Sequence, residues 1–227
     1  MNTSLKVARY SLMLPNNRLV LPWILPFAFT VGAVTAGRQP GHNAAPYLFS
    51  FFAYFAAQGM QSIGRSLPFS LALGASRRSF YSGTALLGMA LALVSGLVLA
   101  VLQAIERATD GWGLSMVFFR VPYLLGGPWY ATWLTSAVVL FALFVYGMWY
   151  GIVYSRWALL GAAAFTAAQV LVVAAVSVLV VSEHWHLWSA AGRSFADLTA
   201  LALTGVIAAL AVLLLAGGHA TIRRVTV

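Results

Sequence analysis

Six long apolar runs that contain no Asp, Glu, Lys or Arg determine what this chain can fold into. A helix needs about 20 mostly apolar residues to cross the hydrocarbon core of a bilayer, which is roughly 30 Å thick. The runs are Leu19–Ala36, Ala44–Ile63, Thr84–Ile105, Trp129–Tyr154, Ala158–Val181 and Leu198–Ala216. The sequence therefore predicts an all-α membrane protein with six transmembrane helices, in which residues 1–227 form a single transmembrane domain.

The composition agrees with this prediction. Hydrophobic residues make up 62% of the chain and charged residues only 7%, whereas soluble domains are roughly 45–50% apolar and about 25% charged. Such a chain cannot cover a water-facing surface. Residues 1–6 also lack a short apolar core followed by a small-residue cleavage site, so we expect no removable signal peptide.

The basic residues are distributed unequally over the segments between the runs. The amino-terminal segment, the carboxyl-terminal segment and the second and fourth connections hold nine of the 13 basic residues and no acidic residue. The other three connections hold four basic residues and all four acidic ones. Cytoplasmic loops of membrane proteins are enriched in Lys and Arg, so this asymmetry places both termini in the cytoplasm. Nucleic acid is not a predicted partner, because these cations are scattered over short loops that face membrane lipids.

Two segments outside the runs have a pattern of their own. Asn2–Leu14 carries apolar residues on one helical face and precedes Pro15, which predicts an interfacial connecting helix within residues 1–17. A disordered basic leader is the alternative. The connection at residues 65–80 is apolar in its middle, with Pro68 placed to open a short helix and Gly74 to end it.

Arg77 and Arg78 follow this short helix, at the carboxyl end where the helix dipole favours cations. A short apolar helix in a cytoplasmic loop indicates docking onto a partner. The alternative is a loop that is pinned to the membrane by arginines reaching the interface. The residues alone leave both interpretations open.

Several kinds of chemistry are missing. The predicted spans hold no carboxylate and no His, so they offer neither a catalytic acid or base nor the ionisable relay of an ion-coupled carrier. The chain has no phosphate-binding loop and no Cys. His184 and His186 lack further donors nearby, so no metal site is predicted. We therefore expect no enzyme and no cofactor in this chain.

Polar and small residues within the spans have two interpretations each. The amides Gln58, Gln61, Gln103 and Gln169 either form hydrogen bonds between helices or line a path for a lipophilic or amphipathic substrate. In the fifth span, small residues recur at four-residue spacing, which permits close packing within the chain or between subunits. These residues are Ala163, Ala164, Ala167 and Ala168.

The topology and one sequence segment resemble the permease subunits of bacterial ABC-2-type transporters. The segment is Phe69-Ser70-Leu71-Ala72-Leu73-Gly74-Ala75-Ser76-Arg77-Arg78-Ser79-Phe80-Tyr81-Ser82-Gly83-Thr84. It is similar to the family pattern Gly-x-Ser-Arg-Arg-x-Phe-x-x-Gly-Thr, and residues 106–113 are similar to a second recurring segment. In this family a coupling helix between spans two and three docks into an ATPase subunit. The chain departs from many members in placing its longest outer connection after span three.

The resemblance implies a transmembrane subunit of an exporter in the bacterial inner membrane, paired with an identical or homologous permease. ATP and magnesium would bind separate ATPase subunits. By position, the ATPase contact would comprise Leu67, Phe69, Leu71, Gly74, Ala75, Ser76, Arg77 and Arg78. The alternatives are a non-transporting membrane scaffold or sensor, and a carrier driven by an ion gradient.

Overall fold

The computed structural model describes residues 48–72, 74, 76–110, 128–181 and 200–221. Every regular element in these ranges is a helix, so the all-helical class is confirmed for this part of the chain. The predicted first span, the interfacial segment at residues 1–17 and Ala75 lie outside the described residues. Of the predicted outer connections, residues 111–127 and 183–197 also lie outside the described residues.

The described residues form five α-helices and one π-helical turn. Helix α1 covers Leu48–Gln61 and continues through the π-turn Ser62–Ser66 into α2, Leu67–Ala72. Helix α3 covers Arg77–Ala108, α4 covers Trp129–Val181 and α5 covers Ala200–Thr221.

Among the described residues, three helices are long and apolar enough to cross a membrane. They are Arg77–Ala108, Trp129–Val172 and Leu201–Thr221. Each exceeds the length of about 20 residues that a bilayer requires. The chain is therefore a helical membrane protein, while the count of six spans and the cytoplasmic termini stay predictions.

Helix α4 is a hairpin, because its backbone leaves the helical region at Ala158, where φ is 50° and ψ is −143°. Tyr146 Oη donates a hydrogen bond to Gln169 Oε1 at 2.6 Å across this break. A continuous helix would separate the two residues by roughly 34 Å at 1.5 Å per residue. The arms at residues 129–157 and 159–181 therefore run antiparallel, with their turn at the predicted boundary between the fourth and fifth spans.

Helix α1 runs parallel to the first arm of α4, and glycines bring the two backbones together. Gly147 packs on the backbone of Ala56, and Gly151 packs on Met60 one turn later in both helices. A Cβ at Gly147 would overlap the Ala56 carbonyl oxygen, so a larger residue does not fit there. Gly147-x-x-x-Gly151 is a small-x-x-x-small motif for helix association in membranes. This motif was not among the features predicted from the sequence.

Helix α3 runs antiparallel to the first arm of α4 along a stripe of small residues. Gly88 lies against the ring of Phe144, and a Cβ at Gly96 would stand 2.9 Å from the backbone nitrogen of Ala137. Residue numbers rise along α3 as they fall along α4. Helix α5 runs parallel to the first arm, since α4 contacts it through Thr135–Thr204 and then through Trp149–Leu214.

These directions bring several helix ends together at one end of the bundle. We call this the basic end, comprising residues 62–72, 74, 76–81, 149–160 and 214–221. Tyr81 Oη donates to the Leu215 carbonyl at 3.1 Å there, which places the start of α3 beside the end of α5. Arg77, Arg78 and Arg156 lie at this end, whereas the carboxylates of the described residues, Glu106 and Asp110, lie where α3 ends. Three of the nine basic residues that the sequence assigns to one membrane side, Arg77, Arg78 and Arg156, thus share one end of the described bundle.

The core lies between α1, α3 and the first arm of α4. Its largest fully buried side chains are Phe51, Phe80, Phe144, Ile63, Leu67, Leu140 and Met148. In a bilayer, where lipid tails are as apolar as leucine, such a core is stabilised by close packing and dispersion rather than by exclusion of water. The π-turn and α2 are anchored to it through Ile63 and Leu67, so the loop segment is packed against the bundle.

Candidate functional site

The candidate site is the segment between α1 and α3. One face of its helix α2 packs against the core of the bundle, and the other face is exposed. Leu67 is buried and Leu71, one turn later, is packed against the core. On the other side Pro68 and Phe69 are exposed, and 51% of the Phe69 side chain is accessible. The anchored helix α2 therefore exposes about half of one large apolar residue on its outer side.

The start of α2 differs from the prediction. Pro68 was expected to open an independent helix, but α2 continues from α1 through the π-turn Ser62–Ser66. A proline ring clashes with the carbonyl four residues earlier in a regular helix and leaves that carbonyl without its donor. A wider turn directly before Pro68 lets the chain stay helical. This departure from α-helical geometry also marks a point where the helix can bend.

The end of α2 is as the sequence predicts. Gly74 has a φ of +81°, a left-handed conformation that glycine adopts without a Cβ clash, and its N–H donates to the Leu71 carbonyl at 2.9 Å. Ser76 then caps α3, because its Oγ accepts a hydrogen bond from the Ser79 backbone N–H at 3.1 Å. The segment is therefore a defined helix, turn and cap.

Arg77 and Arg78 require a correction. The sequence analysis assigned them to the carboxyl end of the preceding helix, where the dipole favours cations, but they form the first turn of α3. A cation at a helix amino terminus is unfavourable by about 0.3–1 kcal/mol. Helix stability therefore does not explain this pair. Arg78 is exposed at the start of α3, so an anionic surface in contact with it would compensate for the cost.

The four amides do not form one cluster. Gln58 donates to Tyr54 Oη within α1 at 2.7 Å, and Gln169 accepts from Tyr146 between the arms of α4. Gln61 is exposed, and Gln103 is buried toward the end of α3 that is distant from the basic end. Gln58 and Gln169 thus hold the structure together, and the substrate path stays a prediction.

Glu106 was assigned to the connection after the third span, and the structure places it one residue beyond the predicted end of that span, within the same helix. The residue lies on α3, which extends to Ala108, and only 3% of it is exposed. It continues the buried face of α3 one turn after Gln103. Charge alone was taken as the boundary of the span. A carboxylate in the buried part of the bundle weakens the sequence argument against a carrier driven by an ion gradient.

Aromatic residues near the helix ends act as hydrogen-bond donors between helices. Trp149 Nε1 donates to the Leu214 carbonyl at 2.7 Å, next to the bond from Tyr81 to Leu215. A Cβ at Gly218 would overlap the Tyr81 hydroxyl, so the aromatic side chains fill the space that the glycine leaves. These bonds were not predicted, because no signal in a single sequence distinguishes a donor between helices from an anchor in the membrane interface.

The small residues of the fifth span do not pack inside the described part of the chain. Ala163, Ala164, Ala167 and Ala168 are all exposed on the second arm of α4. The packing partner of these residues stays open.

Comparison with protein-family models, with curated proteins and with solved structures finds no match to this chain.

Proposed function

We propose that this chain is the transmembrane subunit of an ATP-driven exporter of the ABC-2 type, with six spans and the basic end in the cytoplasm. The observation that carries the proposal is the α2 segment, which presents Phe69 outward while Leu67 ties it to the core. A partner that moves α2 therefore also moves the bundle. The absence of a phosphate-binding loop from the sequence means that ATP and magnesium would bind a separate subunit.

Orientation follows from charge. Arg77, Arg78 and Arg156 share the basic end, and the positive-inside rule places that end in the cytoplasm. The turn at Ala158 separates two arms, each longer than the roughly 20 residues of a crossing. Helix α3, the two arms of α4 and α5 give four crossings, and the predicted first and second spans, the second of which contains α1, bring the number to six. An even number of crossings leaves both termini on one side.

The role of the open face of α2 in docking is tested by substituting exposed residues, because substitutions at Leu71 would also disturb the core. Phe69→Ala and Arg78→Gln should abolish stimulation of a co-expressed ATPase subunit and ATP-dependent transport into inverted vesicles. Leu86→Ala is the matched control, since Leu86 is 53% exposed on α3 and lies away from α2 in the chain. Normal coupling in the Phe69 and Arg78 variants would exclude this role for α2.

The same vesicles separate the proposal from a non-transporting scaffold. A scaffold would bind its partner through α2 without moving a labelled lipophilic compound. Transport that requires both ATP and the ATPase subunit would exclude it, whereas partner binding without transport would favour it.

A gradient-driven carrier is the second candidate, because Glu106 is buried on α3 beside the turn that holds Gln103. Buried carboxylates in membrane helices are rare and mark proton or ion pathways. This carrier would transport without the ATPase, lose transport on addition of a protonophore, and lose it again in Glu106→Gln. Transport that persists in Glu106→Gln and stops without ATP would exclude the carrier.

A further inference from the structure

The hairpin turn of α4 combines one cation with exposed apolar side chains. We call residues 154–160 the arginine turn. Arg156 is the only charged residue in the whole of α4, Trp129–Val181, so this helix supplies no carboxylate to it. The carboxylates of the described residues lie on α3 and just after it, at the opposite end of the bundle. Neutralisation of Arg156 by a carboxylate on its own helix is therefore excluded.

The side chain of Arg156 is held over an exposed indole. Its Cζ lies 4.8 Å from the centroid of the Trp157 ring, which is a cation–π geometry, and Trp157 is 55% exposed. Stacking on a ring leaves the N–H groups at the edge of the guanidinium free to donate. A guanidinium donates two parallel hydrogen bonds to a phosphate, a fit that an ammonium group lacks.

Leucines follow directly after the turn. Leu159 is 74% exposed and Leu160 is 84% exposed. Apolar exposure continues along the same arm through Val170, Leu171, Val172 and Val178. A surface of this kind, apolar over the length of a membrane helix and ending in one cation beside a tryptophan, matches lipid acyl chains that end in a headgroup.

We propose that the arginine turn binds an anionic phospholipid, whose phosphate contacts Arg156 and whose acyl chains lie against Leu159 and Leu160. The site is independent of the proposed transport function and requires only that the chain sits in a bilayer. A basic side chain near an anionic membrane surface contributes about 1 kcal/mol, which corresponds to roughly fivefold in lipid affinity. Trp157 positions the guanidinium and fills the space between headgroup and acyl chains.

The test uses the full chain in detergent, with retained lipid counted by native mass spectrometry. Dioleoylphosphatidylglycerol is titrated against dioleoylphosphatidylcholine. Arg156→Gln should weaken binding of the anionic lipid about fivefold and leave the zwitterionic lipid unchanged. Arg156→Lys keeps the charge but loses the paired donors, so it should show an intermediate loss, and Trp157→Leu should also weaken binding.

Arg107→Gln is the matched control, since it removes one exposed cation from a helix end away from the arginine turn. An equal loss in Arg107→Gln and Arg156→Gln would show that the loss reflects general surface charge and would overturn the site. Displacement of the lipid by millimolar inorganic phosphate would assign Arg156 to a soluble anion instead. Unchanged lipid retention in Arg156→Gln, together with loss of ATPase-subunit binding, would assign it to a protein partner. Melting temperatures of the variants check that all of them are folded.

Discussion

Gly147→Ala should destabilise the protein by about 2 kcal/mol, because α1 and the first arm of α4 are in backbone contact at this position. A Cβ there would overlap the Ala56 carbonyl oxygen and stand within 3.1 Å of the Ala56 Cα. The clashing atoms belong to the backbone, so rotation of a side chain cannot relieve the overlap. The helices must separate, and a gap of 0.5–1 Å forfeits a quarter to a half of each dispersion contact along the interface.

The magnitude is the difference of two effects. Overpacking a well-packed interface costs about 1–3 kcal/mol, with a backbone clash near the upper limit. Alanine favours a helix over glycine by up to about 1 kcal/mol, which offsets part of the cost. A net loss of about 2 kcal/mol corresponds to roughly a thirtyfold change in the unfolding equilibrium constant.

Gly205→Ala is the matched control. Gly205 lies in α5, is exposed, and has open space around the position of a Cβ. Only the helix-propensity term applies there, so this variant should be as stable as the wild type or more stable. Unfolding is followed by circular dichroism in mixed micelles with an increasing mole fraction of sodium dodecyl sulfate. Equal stability of the two variants would refute the close approach of α1 and α4.

Two further predictions concern the hairpin of α4. Ala158→Gly should stabilise the hairpin by about 1 kcal/mol, because a φ of 50° with a ψ of −143° strains alanine by about 1–3 kcal/mol and the larger conformational entropy of glycine in the unfolded chain offsets part of the relief. Ala164→Gly, in the exposed helical part of the second arm, should destabilise the hairpin. A change of the same sign in both variants would contradict the turn geometry. A double-mutant cycle with Tyr146→Phe and Gln169→Leu should give a coupling energy of about 0.6 kcal/mol in the micelle assay, as for other hydrogen bonds between membrane helices, and zero coupling would mean that the arms do not meet there.

The elements that the sequence predicted best are those with a local cause. Gly74 ends α2 because a left-handed residue is required, and glycine supplies it at no steric cost. The boundary between the fourth and fifth spans was predicted from a single cation, Arg156, which lies two residues before the turn at Ala158. A charge between two apolar runs is a signal that needs no knowledge of packing.

Features that depend on the neighbouring helix were missed. Glu106 was placed outside the third span because a charge normally ends one, and the spacing of Leu99, Gln103 and Glu106 shows that the buried face of α3 continues past Ile105. This spacing was visible in the sequence, but the charge alone was used to end the span. Which glycines touch a backbone cannot be predicted in this way. Gly147 and Gly205 are alike in sequence context, and only the approach of α1 separates their roles.

The basic end couples the candidate site to the last helix by geometry alone. The α2 segment leads through the capped turn at Ser76 into α3, and Tyr81, on the first turns of α3, holds the Leu215 carbonyl of α5. Trp149 of α4 holds the adjacent Leu214 carbonyl. Displacement of the start of α3 must therefore either break the bond to Leu215 or carry the end of α5 with it.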